Sequence, residues 1–150
     1  MLFRSAKDSG GAELVSIGDY FRLRLDNGGT TARTSYYNGT TWVDLDYPIT
    51  LAGAGWHHFA ATLNAGDALK LYINGNEVAT ASAPGTINYS GQGTTTRIGS
   101  HGNTNTTFDF DGRIDDVRIY DRAMTPEEVF GLYRGSRING VKILRWVETR

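Results

Sequence analysis

Aromatic side chains mixed with amides and carboxylates are concentrated between residues 36 and 47. Two tyrosines precede an Asn-Gly pair, and a tryptophan and an aspartate follow it. Aromatic faces suit the apolar C–H faces of sugar rings, and amide and carboxylate groups suit their hydroxyl rims. The pattern predicts a ligand-binding surface, although each ring could instead help to close a hydrophobic core. The predicted members are Tyr36, Tyr37, Asn38, Trp42 and Asp44.

A polar stretch over residues 100–107, Ser-His-Gly-Asn-Thr-Asn-Thr-Thr, adds His101 and Asn103 to this candidate set. Its composition predicts a surface loop, so we expect His101 to face solvent there. Four further residues combine rings, amides and carboxylates in the same way. They are Asp46, Tyr47, Asn88 and Tyr89.

Adjacent histidines follow a tryptophan in Trp56-His57-His58, a combination that suggests metal binding or acid–base chemistry. Neighbouring residues of a strand point to opposite faces, so the two imidazoles cannot easily share one ion. The structural interpretation is therefore favoured: a core tryptophan beside one hydrogen-bonded histidine.

Four aspartates lie close together near residue 112, and carboxylates are the ligands that calcium prefers. Calcium is the one cofactor that this pattern leaves open. Asp115 precedes an inward-facing valine, and we expect it to bond the backbone instead. The four residues are Asp109, Asp111, Asp115 and Asp116.

The 150 residues suit one domain over residues 1–150, with 39% hydrophobic residues, 21% charged residues and a net charge of −1. Nucleic acid is excluded as a partner, because phosphate binding requires concentrated Lys and Arg. The absence of cysteine excludes disulfides and thiol catalysis. No apolar run is long enough to span a membrane, and the first residues lack a signal-peptide core, so no membrane insertion is expected.

Many short alternating segments separated by glycine-rich turns predict an all-β, two-sheet antiparallel sandwich. Asn38-Gly39 and Asn74-Gly75 predict hairpins. One short helix is expected near residues 125–134, where Thr125 and Glu128 form a capping box. Residues 45–55 are expected to form a loop, a long strand is expected to precede the helix, and residues 141–148 should form a last strand.

Two blocks carry a family resemblance. Residues 112–129, Gly-Arg-Ile-Asp-Asp-Val-Arg-Ile-Tyr-Asp-Arg-Ala-Met-Thr-Pro-Glu-Glu-Val, resemble the closing segment of laminin-G-like and pentraxin-like jellyroll domains of the concanavalin A-like lectin/glucanase group. Residues 55–60 and 69–79 resemble the family's central strands and hairpin. The resemblance implies a jellyroll sandwich shortened at the N-terminus and an extracellular location, although no signal peptide is visible. A missing strand would leave an open edge, to be filled by residues 141–148 or by a second copy.

The resemblance also bears on metal and catalysis. The pentraxin-type calcium loop corresponds to residues 100–105, which carry no acid, so that site does not carry over. Other laminin-G-like members bind calcium near the sheet edge, which leaves Asp116 as the candidate metal ligand. Glucanases of this fold use a Glu-x-Asp-x-Glu strand or a close variant, and none is present.

We therefore predict a non-catalytic binding module for carbohydrate or glycoprotein, acting through loop aromatics and amides. The alternative is a structural or protein–protein module that assembles through sheet edges and binds no sugar. A degenerate glucanase with residual hydrolysis is a third interpretation, which the missing acids disfavour.

Overall fold

The computed structural model describes residues 1–7, 11–50, 55–86, 93, 95–135 and 143–145. Strands dominate these residues, with one α-helix and a short 3₁₀ turn at Thr106–Phe108. In chain order the strands and helix are β1 (Leu2–Lys7), β2 (Ala12–Ile17), β3 (Phe21–Asp26), β4 (Thr31–Tyr37), β5 (Trp42–Pro48), β6 (His57–Leu63), β7 (Ala68–Ile73), β8 (Asn76–Ser82), β9 (Arg97–Ile98), β10 (Asp111–Asp115), β11 (Ile119–Tyr120), α1 (Pro126–Tyr133) and β12 (Ile143–Arg145).

Two five-stranded antiparallel sheets form the framework. Their strand orders are β10-β1-β6-β7-β8 and β5-β4-β3-β2-β9. Leu14, Leu25, Phe59 and Leu71 are fully buried in the main hydrophobic cluster, to which both sheets contribute. The predicted all-β sandwich is confirmed, and the arrangement is consistent with a jellyroll.

Local sequence signals specify the turns and the helix start as expected. Asn74 and Gly75 adopt positive φ angles of 50° and 81°, as a two-residue hairpin requires. Thr125 Oγ1 accepts from the Glu128 amide at 3.3 Å, and Glu128 Oε2 accepts from the Thr125 amide at 2.9 Å. This capping box begins α1 at Pro126, and the buried Val129 packs with Tyr72 of β7, which places the helix against the sheet that contains β7.

Three expectations about the elements are wrong. The predicted loop at residues 45–55 begins too early, because β5 pairs with β4 as far as Pro48. The predicted long strand is interrupted where Asp116 adopts a φ of 51°, a left-handed conformation that ends β10. Trp56 is 46% exposed rather than part of the core.

The C-terminal strand does not fill the edge of either large sheet. Ile119 pairs with Arg145 and Tyr120 with Ile143, so β12 forms a separate two-stranded sheet with β11. The remaining residues of the predicted last strand, 141–142 and 146–148, lie outside the described residues. Among the described helices, none combines the length and apolarity needed to cross a membrane.

Candidate functional site

Charged and aromatic side chains collect on the outer face of the sheet that contains β2, β3, β4 and β5. Because side chains alternate along each strand, the positions that neighbour inward-facing leucines point outward. Cross-strand pairing aligns these outward positions into rows. The pairs are Tyr37 with Trp42, Ser35 with Asp44, Arg33 with Asp46, Arg22 with Ser35, and Arg24 with Arg33.

One part of this face, which we call the open half, comprises Arg22, Arg33, Tyr37, Trp42, Asp44 and Asp46. The Trp42 ring is half-exposed, and the Arg22 guanidinium carbon lies 3.8 Å from its ring centre. Tyr37 packs edge-on against Trp42, with 5.8 Å between ring centres. A cation on one face and a ring at the edge hold the indole in a defined orientation.

Arg33 ties the carboxylates of the open half together. Its Nε and Nη2 donate to the two oxygens of Asp46 at 2.6 Å each. Its Nη1 lies 2.7 Å from Asp26 Oδ2 and 3.3 Å from Asp44 Oδ2. The hydrogen bond to Asp46 is the main cause of the raised pKa of Arg33, and the three carboxylates stabilise its charge. The result is a preorganised acidic edge along β5.

The other part, which we call the covered half, comprises Glu13, Asp19, Arg24 and His101 beneath residues 101–108. The Gly102 amide donates to Ser16 Oγ at 3.2 Å. A Cβ at Gly102 would lie 2.7 Å from the Asp19 nitrogen, so glycine permits this close approach.

Phe108 ends the cover, the name we give to residues 101–108 that lie over the covered half. Its ring centre lies 5.0 Å from that of His101 and 5.2 Å from the Arg24 guanidinium carbon. Residues 103–107 between these two contacts are exposed. The cover therefore rests on the sheet through the two ends of this segment.

Burial changes the acid–base properties of the covered half. Arg24 Nη1 and His101 Nε2 each lie 3.7 Å from Glu13 Oε1, and neither Glu13 oxygen has a hydrogen bond within the described residues. Burial raises the pKa of Glu13 to about 7, against the opposing effect of Arg22 and Arg24. His101 Nε2 also lies 3.4 Å from Asp19 Oδ1, and burial lowers the pKa of this histidine.

The described residues offer little for a metal ion. Asp116, the predicted calcium ligand, accepts from Arg118 Nε at 2.7 Å, so a cation would compete with a guanidinium. Asp115 Oδ1 accepts from the Asp116 amide at 2.7 Å, the backbone role expected for it. His101 Nδ1 accepts from the Asn103 amide at 3.3 Å, which places the proton on Nε2 and removes the lone pair a metal needs. In the described part of the chain, no three His, Cys, Asp or Glu side chains form a metal-binding group.

The structure brings some predicted site residues together and separates others. Tyr37, Trp42 and Asp44 share the open half. Asn38 lies at the adjacent turn, where its Oδ1 accepts from two backbone amides at 2.9 Å each. Tyr36 is only 4% exposed and points to the opposite face of β4, so it offers no ring for stacking.

The expected solvent exposure of His101 is wrong, because the side chain is buried beneath its own loop. Asn103 is exposed as predicted. Tyr89 and Asn88 lie outside the described residues. The reasoning from sequence missed Arg22 and Arg33, and the alternation of arginine with leucine in β3 was the signal for the first of them.

The two histidines have the predicted opposite orientations, but the tryptophan before them is exposed rather than in the core. His57 and His58 occupy successive positions of β6 and so point to opposite faces. His58 is buried with its ring 5.9 Å from that of Tyr133, and burial lowers its pKa to about 4. A buried imidazole that stays neutral contributes to packing rather than to metal binding or acid–base chemistry.

The comparison with a family model agrees with the fold. A family model described as concanavalin A-like lectin/glucanases superfamily matches residues 2–130. No curated protein matches the chain. Among solved structures, an S-layer domain-containing protein (residues 221–444) from Clostridium thermocellum is similar, with 27% sequence identity and a TM-score of 0.44. The match covers 84% of this chain and 64% of that one, so this chain spans less than two thirds of its length. Since the family match extends over most of the sequence, the chain belongs to the concanavalin A-like lectin/glucanases superfamily, with the laminin-G-like character that its sequence predicted.

Proposed function

We propose that the protein is a non-catalytic binding module that recognises carbohydrate or glycoconjugates through the open half. The observation that carries this proposal is the half-exposed Trp42 ring, held between Arg22 and Tyr37 beside two exposed carboxylates. A fixed indole offers a flat apolar face on which a sugar ring can stack. Carboxylate oxygens accept hydrogen bonds from sugar hydroxyls at its rim.

Preorganisation supports binding at this surface. Arg22 occupies one side of Trp42, and its Nη2 also lies 3.5 Å from Asp44 Oδ1. Arg33 holds Asp44 and Asp46 through the same guanidinium. Because these side chains are already ordered, a ligand pays less conformational entropy for ordering them on binding.

The charges of this face support recognition rather than hydrolysis. Glycoside hydrolysis requires two carboxyl groups at the scissile bond, one of which donates a proton. Asp44 and Asp46 are both ion-paired to Arg33, and neither is placed as a proton donor. Burial raises the pKa of Glu13 to about 7, but its side chain is fully buried and out of reach of a ligand at the surface.

Glycan-array binding tests the proposal directly, with the wild-type protein and Trp42→Ala compared in calcium and in EDTA. Trp56→Ala is a matched control, because Trp56 is exposed outside this face. We expect signals that persist in EDTA, disappear in Trp42→Ala and remain in Trp56→Ala. Binding that survives Trp42→Ala would overturn the assignment of this surface.

The alternative, an assembly module, rests on the edges of the sheets. Within the described topology, β5 and β8 are edge strands and leave backbone groups on one side without a strand partner. A blank array with folded protein, together with concentration-dependent dimerisation in sedimentation velocity, would favour this function. Asp44 and Asp46 on β5 disfavour it there, because symmetric pairing would bring like charges together.

A further inference from the structure

The charges of the open half are layered. The Asp46 and Asp44 side chains are 43% and 35% exposed, whereas those of Arg33 and Arg22 are 19% and 9% exposed. A ligand approaching this surface therefore meets carboxylates first and arginines behind them. The layering follows from the sheet, because β5 is at the edge while β4 and β3 lie further inside.

Five of the six guanidinium nitrogens of Arg22 and Arg33 already have polar partners. Arg33 directs Nε and Nη2 to Asp46 and Nη1 to Asp26 and Asp44. Arg22 Nε donates to Ser35 Oγ at 3.2 Å, and its guanidinium lies against Trp42. An anionic ligand would have to displace an aspartate from one of these cations, whereas a ligand with N–H or O–H donors can bind the exposed carboxylates as they stand.

The site is also longer than one sugar. Trp42, Asp44 and Asp46 alternate along β5, so the row from the indole to the last carboxylate extends about 13 Å. This length exceeds a single sugar ring, so several units of one chain can contact the row together.

We infer that the open half selects oligosaccharides that present hydroxyl or amino donors along β5, and that it discriminates against glycans carrying carboxylate or sulfate groups. This inference rests on the proposed function and adds the ligand class. The preferred ligands share hydrogen-bond donor groups and carry no negative charge.

The test compares matched glycan pairs on one array, each a neutral oligosaccharide and the same oligosaccharide with a uronate, sialic acid or sulfate group. We expect the neutral member of each pair to bind about two- to fivefold more strongly, which is the size of effect that one surface charge pair produces. Added salt should narrow the difference, because it screens charges at the surface.

Asp46→Asn identifies the residue responsible. Removing this carboxylate should increase binding of the acidic members relative to the neutral ones. Asp111→Asn makes the same charge change on β10, the edge strand of the other sheet, and should leave the ratio unchanged.

The outcomes separate this inference from the proposed function. Acidic members that bind as strongly as or more strongly than their neutral partners would overturn the ligand class while keeping carbohydrate recognition. An unchanged ratio in Asp46→Asn would also overturn it. An array without any signal from folded protein would remove the proposed function itself and the inference with it.

Discussion

The open and covered halves lie on the same face of the same sheet and are built from the same alternation of charged and apolar residues. Arg22 and Arg24 are two positions apart on β3, yet the first lies against Trp42 and the second beneath Phe108. The difference lies in what covers them. Residues 101–108 close one half, while the other remains partly exposed along β5. Arg22 and Arg24 themselves are equally buried, with 9% of each side chain exposed. The halves differ in the water access of their carboxylates, which are exposed on β5 and buried beneath residues 101–108.

Water access sets the energetic role of each half. The Asp46 carboxylate is 43% exposed, so water offsets much of what its bidentate ion pair with Arg33 adds to stability. A buried carboxyl without hydrogen bonds, as in Glu13, carries a desolvation penalty. We expect substitutions in the covered half to change stability and those in the open half to change ligand binding.

The largest expected effect concerns Glu13. Its pKa is 4.5 in the unfolded chain and about 7 in the folded protein, because burial disfavours the charge. Between these values the unfolded chain releases the proton while the folded protein retains it, so stability falls as pH rises from 4.5 to about 7. The full loss is up to about 3 kcal/mol.

Urea unfolding of wild type and Glu13→Gln across this pH range measures that loss. The stability of wild type relative to the variant should fall with rising pH and level off above about 7. The difference isolates Glu13 from the neighbouring Asp19, His101, Arg22 and Arg24, which both proteins retain. A difference that is independent of pH would contradict this assignment. Glu127→Gln, at an exposed position of α1, is the control.

The next effect concerns the cover itself. In Gly102→Ala the added Cβ would lie 2.7 Å from the Asp19 nitrogen and 2.8 Å from Ser16 Oγ, so the loop must move. We expect a loss of about 1–3 kcal/mol in the free energy of unfolding, typical of overpacking. Glycan binding at the open half should remain.

Gly85→Ala is the matched control, because a Cβ there has no atom within 4 Å. Its stability should stay within about 0.5 kcal/mol of wild type. Equal stability of Gly102→Ala and Gly85→Ala would show that the cover does not depend on close packing.

The smallest stability effect is expected for Trp42→Ala, the substitution that should abolish glycan binding. Trp42 is partly exposed, so its removal costs less than that of a core aromatic, and loss of the contacts with Arg22 and Tyr37 amounts to about 1–2 kcal/mol. Thermal unfolding measures this directly. A loss of stability larger than that of Gly102→Ala would place Trp42 among the core residues. It would contradict the expectation that open-half substitutions change ligand binding rather than stability.

Features governed by neighbouring residues were predictable from the sequence. The Asn74-Gly75 hairpin and the Thr125–Glu128 capping box have the predicted geometry, because each depends on bonds among residues close in the chain. Tyr37, Trp42 and Asp44 meet for the same reason, since a tight hairpin places β4 beside β5. Tyr36 was assigned to the wrong face, because a ring near a turn does not reveal which side of the strand it occupies.

Features that depend on distant segments were not predictable. Residues 100–107 have the composition of an exposed loop, yet His101 is buried because the loop lies on a sheet. The Gly102–Ser16 hydrogen bond spans 86 residues of sequence. Trp56 shows the opposite error, since a large aromatic ring beside a strand is exposed.

The sequence by itself determined the class of fold, the hairpin turns, the helix start and the family, because alternation and turn chemistry act over a few residues. Only the tertiary structure decided which half of the charged face is open. A carboxyl group's affinity for protons and its access to ligands depend on the water around it. For Glu13 that water is displaced by a loop almost ninety residues away in the chain, a contact that no local pattern records.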